Sequence, residues 1–422
     1  LYVFRINTFL MYEPECARMT IAVKGIRMEY RISDKMKSLK PSAIREIFKA
    51  LTDPTIISFA AGNPAPESFP VDDLARISAD IFRDSAVSAL QYSVTEGYPP
   101  LREDVKARLS SRFGIGRDFD MTIITSGGQQ GIELLCKTMC NEGDTVIVED
   151  PSFIGALNAF RSCGAKLVGV GLEEDGVNID ALEAALKANP NAKIIYLIPT
   201  FHNPAGTCMS LEKRKAALAL AKKYGVLILE DNPYGELRFA GEEIPTIKSM
   251  DEDGLGVYSG SYSKVLSAGM RIGFICGPEP VVQKMVVAKQ VEDVHTNIFF
   301  QMLCHRYIAE CDMDAHIAEI RALYLHKSGL MLSELDRNMP DCVKYTRPEG
   351  GLFIWCTLPD SISQSEFIQT AMKNKVAVVP GQAFNSDPDA PSQSFRLNYS
   401  TPSDEQIVKG VACLCDAVKS ML

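Results

Sequence analysis

Residues Ser261–Phe274 read SYSKVLSAGMRIGF: a single lysine, Lys264, stands among hydroxyl side chains, followed by Gly269, Arg271 and an apolar run. A lysine drawn into such surroundings needs a partner, because burying an unpaired ammonium is expensive. Two chemistries fit. Lys264 could form a Schiff base with the aldehyde of pyridoxal phosphate, with the hydroxyls and Arg271 holding the phosphate. Alternatively, Ser261-Tyr262-Ser263-Lys264 could be the Ser-x-x-Lys of a penicillin-recognising acyl enzyme, with Ser261 as nucleophile. Read as an isolated tetrapeptide, it is equally an ordinary surface lysine at a strand end.

Context disfavours the acyl enzyme. Ser-x-x-Lys should open a helix, but Gly269 and a strand-like run follow within a few residues, and no Ser-Asp-Asn occurs in the chain. Lys327-Ser328-Gly329 imitates the later Lys-Thr-Gly element but sits in a helical pattern. The pyridoxal reading demands further parts: a carboxylate for the ring nitrogen, donors for the ring hydroxyl, and a helix N-terminus for the phosphate.

The bulk properties set limits. A chain of 422 residues, 46% apolar and 23% charged, has room for two domains and a large core. Its net charge of −9 argues against a nucleic-acid partner. No apolar run approaches the roughly 20 residues that span a bilayer, so no membrane partner is expected. Twelve cysteines lie scattered without a framework or a Cys-x-x-Cys pair, as expected for reduced thiols in the cytoplasm. Five histidines form no metal-spaced cluster, so no metal site is expected. Residues 1–27, which start at Leu1, are expected to be a non-native or disordered leader, with translation beginning at Met28 or Met19.

Between about residues 70 and 280, apolar β-type runs alternate with helical patterns, which predicts a mostly parallel sheet wrapped by helices. The strand candidates include 121–125, 145–149, 193–198, 226–230, 256–259 and 272–276, and helical patterns cover 129–139 and 211–223. In such sheets, function gathers beyond the C-terminal strand ends. A long helical stretch after residue 280 and a mixed segment from about 340 complete the pattern.

Four segments supply the missing parts. Asp231 ends the run GVLILE, where a buried carboxylate needs a cation such as a protonated pyridine, and Tyr234 follows as a donor for its phenolic oxygen. Asn203 in FHNPAG is held by Pro204 so that its amide can serve the same oxygen. Gly128 and Gln129 in TSGGQQ open a helix whose free N–H groups suit a phosphate. Phe153 after TVIVEDPS could stack on a ring. Taken singly, these read more readily as caps, turns and a core phenylalanine. The Gly254-x-Gly256 and Gly260 spacing lacks the strand and helix that a dinucleotide loop requires.

Together with ISFAAGNPAPESFP, LQYSVTEGYPPLRE, EDNPYGELRF, PEGGLFIW and SFRLNYS, the constellation resembles the fold-type I, class I/II pyridoxal-phosphate aminotransferases. It looks most like their 2-aminoadipate/kynurenine group, over about residues 30–420. The resemblance implies an α/β fold, with a seven-stranded, mostly parallel sheet in a large domain (66–310) and a small domain (28–65 with 311–422). It implies Lys264 as the Schiff-base lysine, Asp231 at the ring nitrogen, Asn203 and Tyr234 at the phenolic oxygen, and Phe153 stacked on the ring. Ser261, Ser263, Arg271, Gly128 and Gln129 would form the phosphate cup. Tyr92 would reach the partner subunit's phosphate, which implies a homodimer with shared sites. Arg396 would clamp the substrate α-carboxylate, Gly62 and Asn63 would close over the substrate, and Arg45 would meet its distal group or else lie on a solvated helix face. Gly128, Ala268, His202, Ala205 and Asn63 depart from the residues most frequent at those positions, and none removes a catalytic group. The expected activity is ping-pong transamination of a 2-aminoadipate, aromatic, branched-chain or glutamate-like donor, with 2-oxoglutarate as the acceptor. A lyase or decarboxylase could use the same residues. An effector-sensing domain of a transcription regulator would need a DNA-binding domain ahead of it.

Overall fold

The computed structural model describes residues 20–23, 26–37, 39 and 53–422. The chain divides into two units, Leu1–Lys40 and Pro41–Leu422. In the first, Thr20–Val23 pairs antiparallel with Ile26–Glu29, and Asp34–Lys37 forms a helical turn.

In the second unit, eight strands form one sheet: β1 (Asp120–Thr125), β2 (Thr145–Asp150), β3 (Lys166–Glu173), β4 (Gly176–Val177), β5 (Ala192–Leu197), β6 (Leu227–Asp231), β7 (Gly256–Ser261) and β8 (Gly273–Pro278). Their order is β1-β8-β7-β6-β5-β2-β3-β4. Strands β3, β2, β5, β6 and β7 pair in parallel. Strand β8 runs antiparallel to both β7 and β1. Successive residues alternate between two buried faces. Val146, Val148, Tyr196, Leu229 and Val257 pack on one side, while Ile147, Ile195, Leu197 and Ile228 pack on the other. Burial on both faces is why these strands read as unbroken apolar runs. The expected seven strands become eight because of the two-residue β4. Strand β3 carries no such run: its residues are exposed or half-buried except Val170, and it is interrupted by Gly169 and Gly171, so its signal is weak.

Three helices are important for the site: α1 (Gly128–Met139), α2 (Ile154–Ser162) and α3 (Glu279–Glu292). Helix α1 buries Ile132, Leu135 and Cys136 at the three- and four-residue spacing of one face. A second, four-stranded antiparallel sheet is built from Lys344–Tyr345, Phe353–Thr357, Ser394–Asn398 and Val379–Pro380. Ile57–Ser58 pairs in parallel with Val376–Ala377, which ties the start of the second unit to its C-terminal part. Among the described residues, no helix is long and apolar enough to cross a membrane.

Candidate active site

The sheet topology explains why distant segments meet. Strands β1, β2, β5, β6 and β7 all end at the same edge, so the residues just after them share one rim. Asp231 is the last residue of β6, and Lys264 follows β7 by three residues.

Asp231 is 5% exposed. Burial raises its carboxyl pKa to about 6, opposed by a 2.7 Å hydrogen bond donated by the Tyr196 hydroxyl. The Ser259 hydroxyl lies close enough to add to that opposition but has no hydrogen-bond partner of ordinary geometry. Among the described residues, no cationic side chain forms an ion pair with Asp231. Its surroundings therefore suit a cationic N–H arriving from outside the chain.

Lys264 is partly buried, and its Nζ donates to the Gly62 carbonyl at 2.7 Å. Desolvation lowers its pKa to about 8, with the positive charges of Arg396 and Arg271 adding to the effect. A lysine held this way is a usable nucleophile and base near neutral pH.

Arg396 lies on the strand Ser394–Asn398 and is 3% exposed. Its Nη1 donates to Asn203 Oδ1 at 2.8 Å and its Nη2 to the Ala60 carbonyl at 2.9 Å, while its Nε has no partner. The guanidinium lies between the Phe353 and Phe384 rings, 4.1 and 5.0 Å from their centroids. Burial lowers its pKa to about 10. A buried guanidinium with neutral partners and a spare donor is poised for a carboxylate. Asn203 turns its amide nitrogen toward the Tyr234 hydroxyl, 3.5 Å away, and burial pushes that phenol's pKa up.

The turn between β1 and α1 bends at Gly127, whose φ of +79° favours glycine. A Cβ there would lie 2.2 Å from Arg271 Nη2, and one on Gly273 would lie 2.5 Å from the Gly127 carbonyl carbon. Arg271 itself has a left-handed φ of 55° and donates to the Ser126 and Ala268 carbonyls. The Ser261 and Ser263 hydroxyls are 2.8 Å apart. This cradle sets a helix N-terminus beside a guanidinium and two hydroxyls, the groups that hold an anion. The residues present fit pyridoxal phosphate: a cradle for its phosphate, a carboxylate for its ring nitrogen and an amine for its aldehyde.

The structure thus brings Lys264, Asp231, Asn203, Tyr234, Arg396 and Gly62 together, with Gly128, Ser261, Ser263 and Arg271 on the same rim. Phe153 caps α2 half-buried, and the Gln129 side chain donates to the Gly155 carbonyl at 2.8 Å. Asn63 is exposed, and its carbonyl accepts from the Ser400 and Thr401 hydroxyls. Tyr92 stands apart, 80% exposed, with its ring edge-on to His295. Arg45 lies outside the described residues.

Sequence reasoning missed three partners. Tyr196 was visible only as a polar tip in an apolar strand. Glu149, at the end of β2, accepts from the Ile198 N–H at 2.7 Å and faces His202 Nε2 at 3.3 Å, behind the Asn203 turn. The Phe353–Phe384 pair around Arg396 joins segments that have no local signal in common.

A family model for aminotransferases of class I and II matches residues 54–414. Over 395 residues the chain is 39% identical to the aromatic-amino-acid aminotransferase 1 of Thermococcus litoralis, covering 93% of this chain and 94% of that one. It superposes with a TM-score of 0.89 on the crystal structure of Pyrococcus horikoshii kynurenine aminotransferase in complex with PMP, at 38% identity over 93% of this chain and 97% of that one. It also superposes with a TM-score of 0.85 on the Thermus thermophilus alpha-aminoadipate aminotransferase complexed with N-(5'-phosphopyridoxyl)-L-leucine, at 37% identity over 92% of this chain and 97% of that one. The chain belongs to the class I and II aminotransferases: it is a pyridoxal-phosphate enzyme of fold type I that moves an amino group from an amino acid to a 2-oxo acid.

Proposed function

We propose that Lys264 is both the cofactor-holding nucleophile and the base that carries the proton at the substrate Cα, within an aminotransferase for 2-aminoadipate-type and aromatic amino acids. The observation that carries this is Lys264 itself, a lysine whose pKa is lowered to about 8 by burial and by the positive charges of Arg396 and Arg271, and which is held by the Gly62 carbonyl. When bound, pyridoxal phosphate supplies an aldehyde that condenses with amines and a ring that draws electrons from the substrate Cα.

The chain's own residues have the following roles. Arg396, fixed by Asn203, the Ala60 carbonyl and two phenylalanine rings, takes the α-carboxylate with two N–H groups and so aims the Cα–H bond at Lys264. Asp231 holds a proton on the ring nitrogen, and Tyr196 keeps that carboxyl ionised. Asn203 and Tyr234 donate to the phenolic oxygen, and Phe153 covers a ring face. Gly128, Gln129, Ser261, Ser263 and Arg271 receive the phosphate. Gly62 and Asn63 lie over the substrate, and Arg45 meets its distal group.

The donor class draws support from the names of the related enzymes; branched-chain and glutamate-like donors belong to the same reading. The amine acceptor is 2-oxoglutarate, in a ping-pong cycle. The working form is a homodimer to which Tyr92 contributes across the seam. Its large domain (66–310) and small domain (28–65 with 311–422) each carry one of the two larger sheets. A cytoplasmic location is consistent with the free thiols of the described cysteines.

The test is visible absorption of the purified holoenzyme, before and after separate additions of 2-aminoadipate, phenylalanine, leucine and glutamate. The yellow band should bleach with 2-aminoadipate and phenylalanine and return on addition of 2-oxoglutarate. A band that persists with both amino acids overturns the donor assignment. Carbon dioxide or ammonia released without an oxo acid would overturn transamination as the main reaction.

A further inference from the structure

Behind the phosphate cradle lies a second cation that none of the roles above employs. Lys289, on α3, is fully buried. Its Nζ donates to Gln130 Oε1 at 2.7 Å, to both Asp293 carboxylate oxygens at 2.9 Å and to Thr296 Oγ1 at 2.9 Å. The bonds then run outward to the loop that opens α1. Gln130 Oε1 also accepts from the Ser126 backbone N–H at 2.8 Å, and Asp293 Oδ2 accepts from the Ser126 hydroxyl at 2.7 Å and from Gln130 Nε2 at 2.8 Å. The Ser126 carbonyl accepts from Arg271 Nη2 at 3.2 Å. Every hydrogen-bonding group of Ser126, the residue before the Gly127 bend, is therefore engaged. On the far side, Val294 adopts a left-handed φ of 65°, costly for a β-branched residue, and this turn brings Thr296 back onto Lys289.

Asp293 neutralises the lysine, so Lys289 adds little net charge to the cradle, and it forms no hydrogen bond to the proposed cup residues themselves. Its effect is geometric. A loop ending in two glycines has many conformations, and an anion captured by loose N–H groups must first order them.

We propose that Lys289 is a positioning residue: through Asp293 and Gln130 it locks the Ser126–Gly128 turn in its phosphate-accepting conformation. This rests on the reading of that turn as the phosphate cup.

The experiment titrates apo-protein with pyridoxal phosphate and, separately, with pyridoxal, which lacks the phosphate, and follows the visible band formed with Lys264. Thermal melting of the apo-protein with and without inorganic phosphate is a second readout. Three variants are compared with wild type: Lys289→Met, the uncharged pair Lys289→Met/Asp293→Leu, and Ser126→Ala. Ser126→Ala removes the hydroxyl half of the link from the cluster to the loop, the bonds to Asp293 and Thr296, while keeping the backbone N–H bond to Gln130 and the buried ion pair, so it carries the test should the lysine variants fail to fold.

The expected result is a loss of pyridoxal phosphate affinity of about tenfold or more in the lysine variants and of a few-fold in Ser126→Ala. Pyridoxal affinity should stay within about twofold, and the melting shift given by phosphate should shrink. An equal fall for both aldehydes would mean that Lys289 only supports the fold, and unchanged affinities would mean that the loop needs no such hold; either result overturns the inference. A wild-type protein that does not prefer pyridoxal phosphate to pyridoxal would overturn the phosphate-cup reading itself, and this inference with it.

Discussion

Two ionisable groups at the rim carry pKa values displaced toward neutrality by burial: Asp231 upward to about 6 and Lys264 downward to about 8. For Asp231, a folded value near 6 against an ordinary 3.8 means that its carboxylate costs the cofactor-free fold ~3 kcal/mol at neutral pH. The sign follows directly. Because the folded pKa is the higher one, the cost is absent below about pH 4 and fully present above about pH 6. A pyridinium beside Asp231 would remove it, so the melting difference between holo- and apo-protein should widen as pH rises from 5 to 7. Tyr196→Phe removes the hydrogen bond that favours the carboxylate, so Asp231 should stay protonated to higher pH. The acid limb of the kcat/KM profile should move to higher pH, with a loss of several-fold at pH 6 and less at pH 8. An unmoved profile would count against the role assigned to Tyr196. For Lys264, the lowered value means that the free amine grows as pH rises toward about 8, so capture of pyridoxal phosphate by apo-protein should accelerate over that range. Lys264→Ala should cut turnover by at least about a thousandfold, measured as oxo-acid formation; near-wild-type activity would remove the basis of the mechanism.

At the scale of elements, the cradle depends on two backbones meeting closely. The start of β8 crosses the turn ahead of α1 with no room for a side chain on Gly273, and its nearest neighbours there are backbone atoms, which cannot swing aside. Gly273→Ala should therefore lower pyridoxal phosphate affinity by about tenfold or more and destabilise the protein by about 1–3 kcal/mol. Gly171→Ala, where a Cβ would meet nothing within 4 Å, should change neither and serves as the control. Cofactor titration and thermal unfolding on both variants would decide. This scale also explains what was legible beforehand. Asp231, Asn203, Lys264 and the Gly127 turn announce themselves because each sits at the end of an apolar run, where chain-local rules apply. Tyr196 and Asp231 lie on neighbouring strands whose register pairs Tyr196 with Leu229, two residues short of Asp231 on the same face, and only that register makes them partners. Lys289 reads as one more polar position on a mixed helix, with Asp293 one turn on, until the turn at Val294 folds Thr296 back onto it. Arg396, far along the chain on another sheet, could be assigned only through the family resemblance.

At the scale of the whole molecule, the proposed dimer makes each site depend on two chains. Val87, Leu90 and Tyr92 are 74–80% exposed at and just beyond the end of the helix Val71–Leu90, an apolar edge that suits contact with a second copy. In that arrangement, a site uses its own Lys264 and its partner's Tyr92. The two requirements can be separated by mixing. A Lys264→Ala chain and a Tyr92→Ala chain, each a poor enzyme alone at limiting cofactor, should complement when refolded or co-expressed together. In a mixed dimer, one site lacks both residues, while the other combines an intact Lys264 with an intact Tyr92. With random pairing, half of the dimers are mixed and half of their sites are whole, so about a quarter of wild-type activity should return. If Tyr92 instead served its own chain, every mixed dimer would hold one site without Lys264 and one without Tyr92, and mixing would restore nothing. Carrying a different affinity tag on each chain and recovering both tags together gives the fraction of mixed dimer, so a failure to pair would be distinguished from a failure to complement. A mixed dimer that forms without regaining activity would exclude Tyr92 from the partner's site while leaving Lys264, Asp231 and Arg396 in their roles.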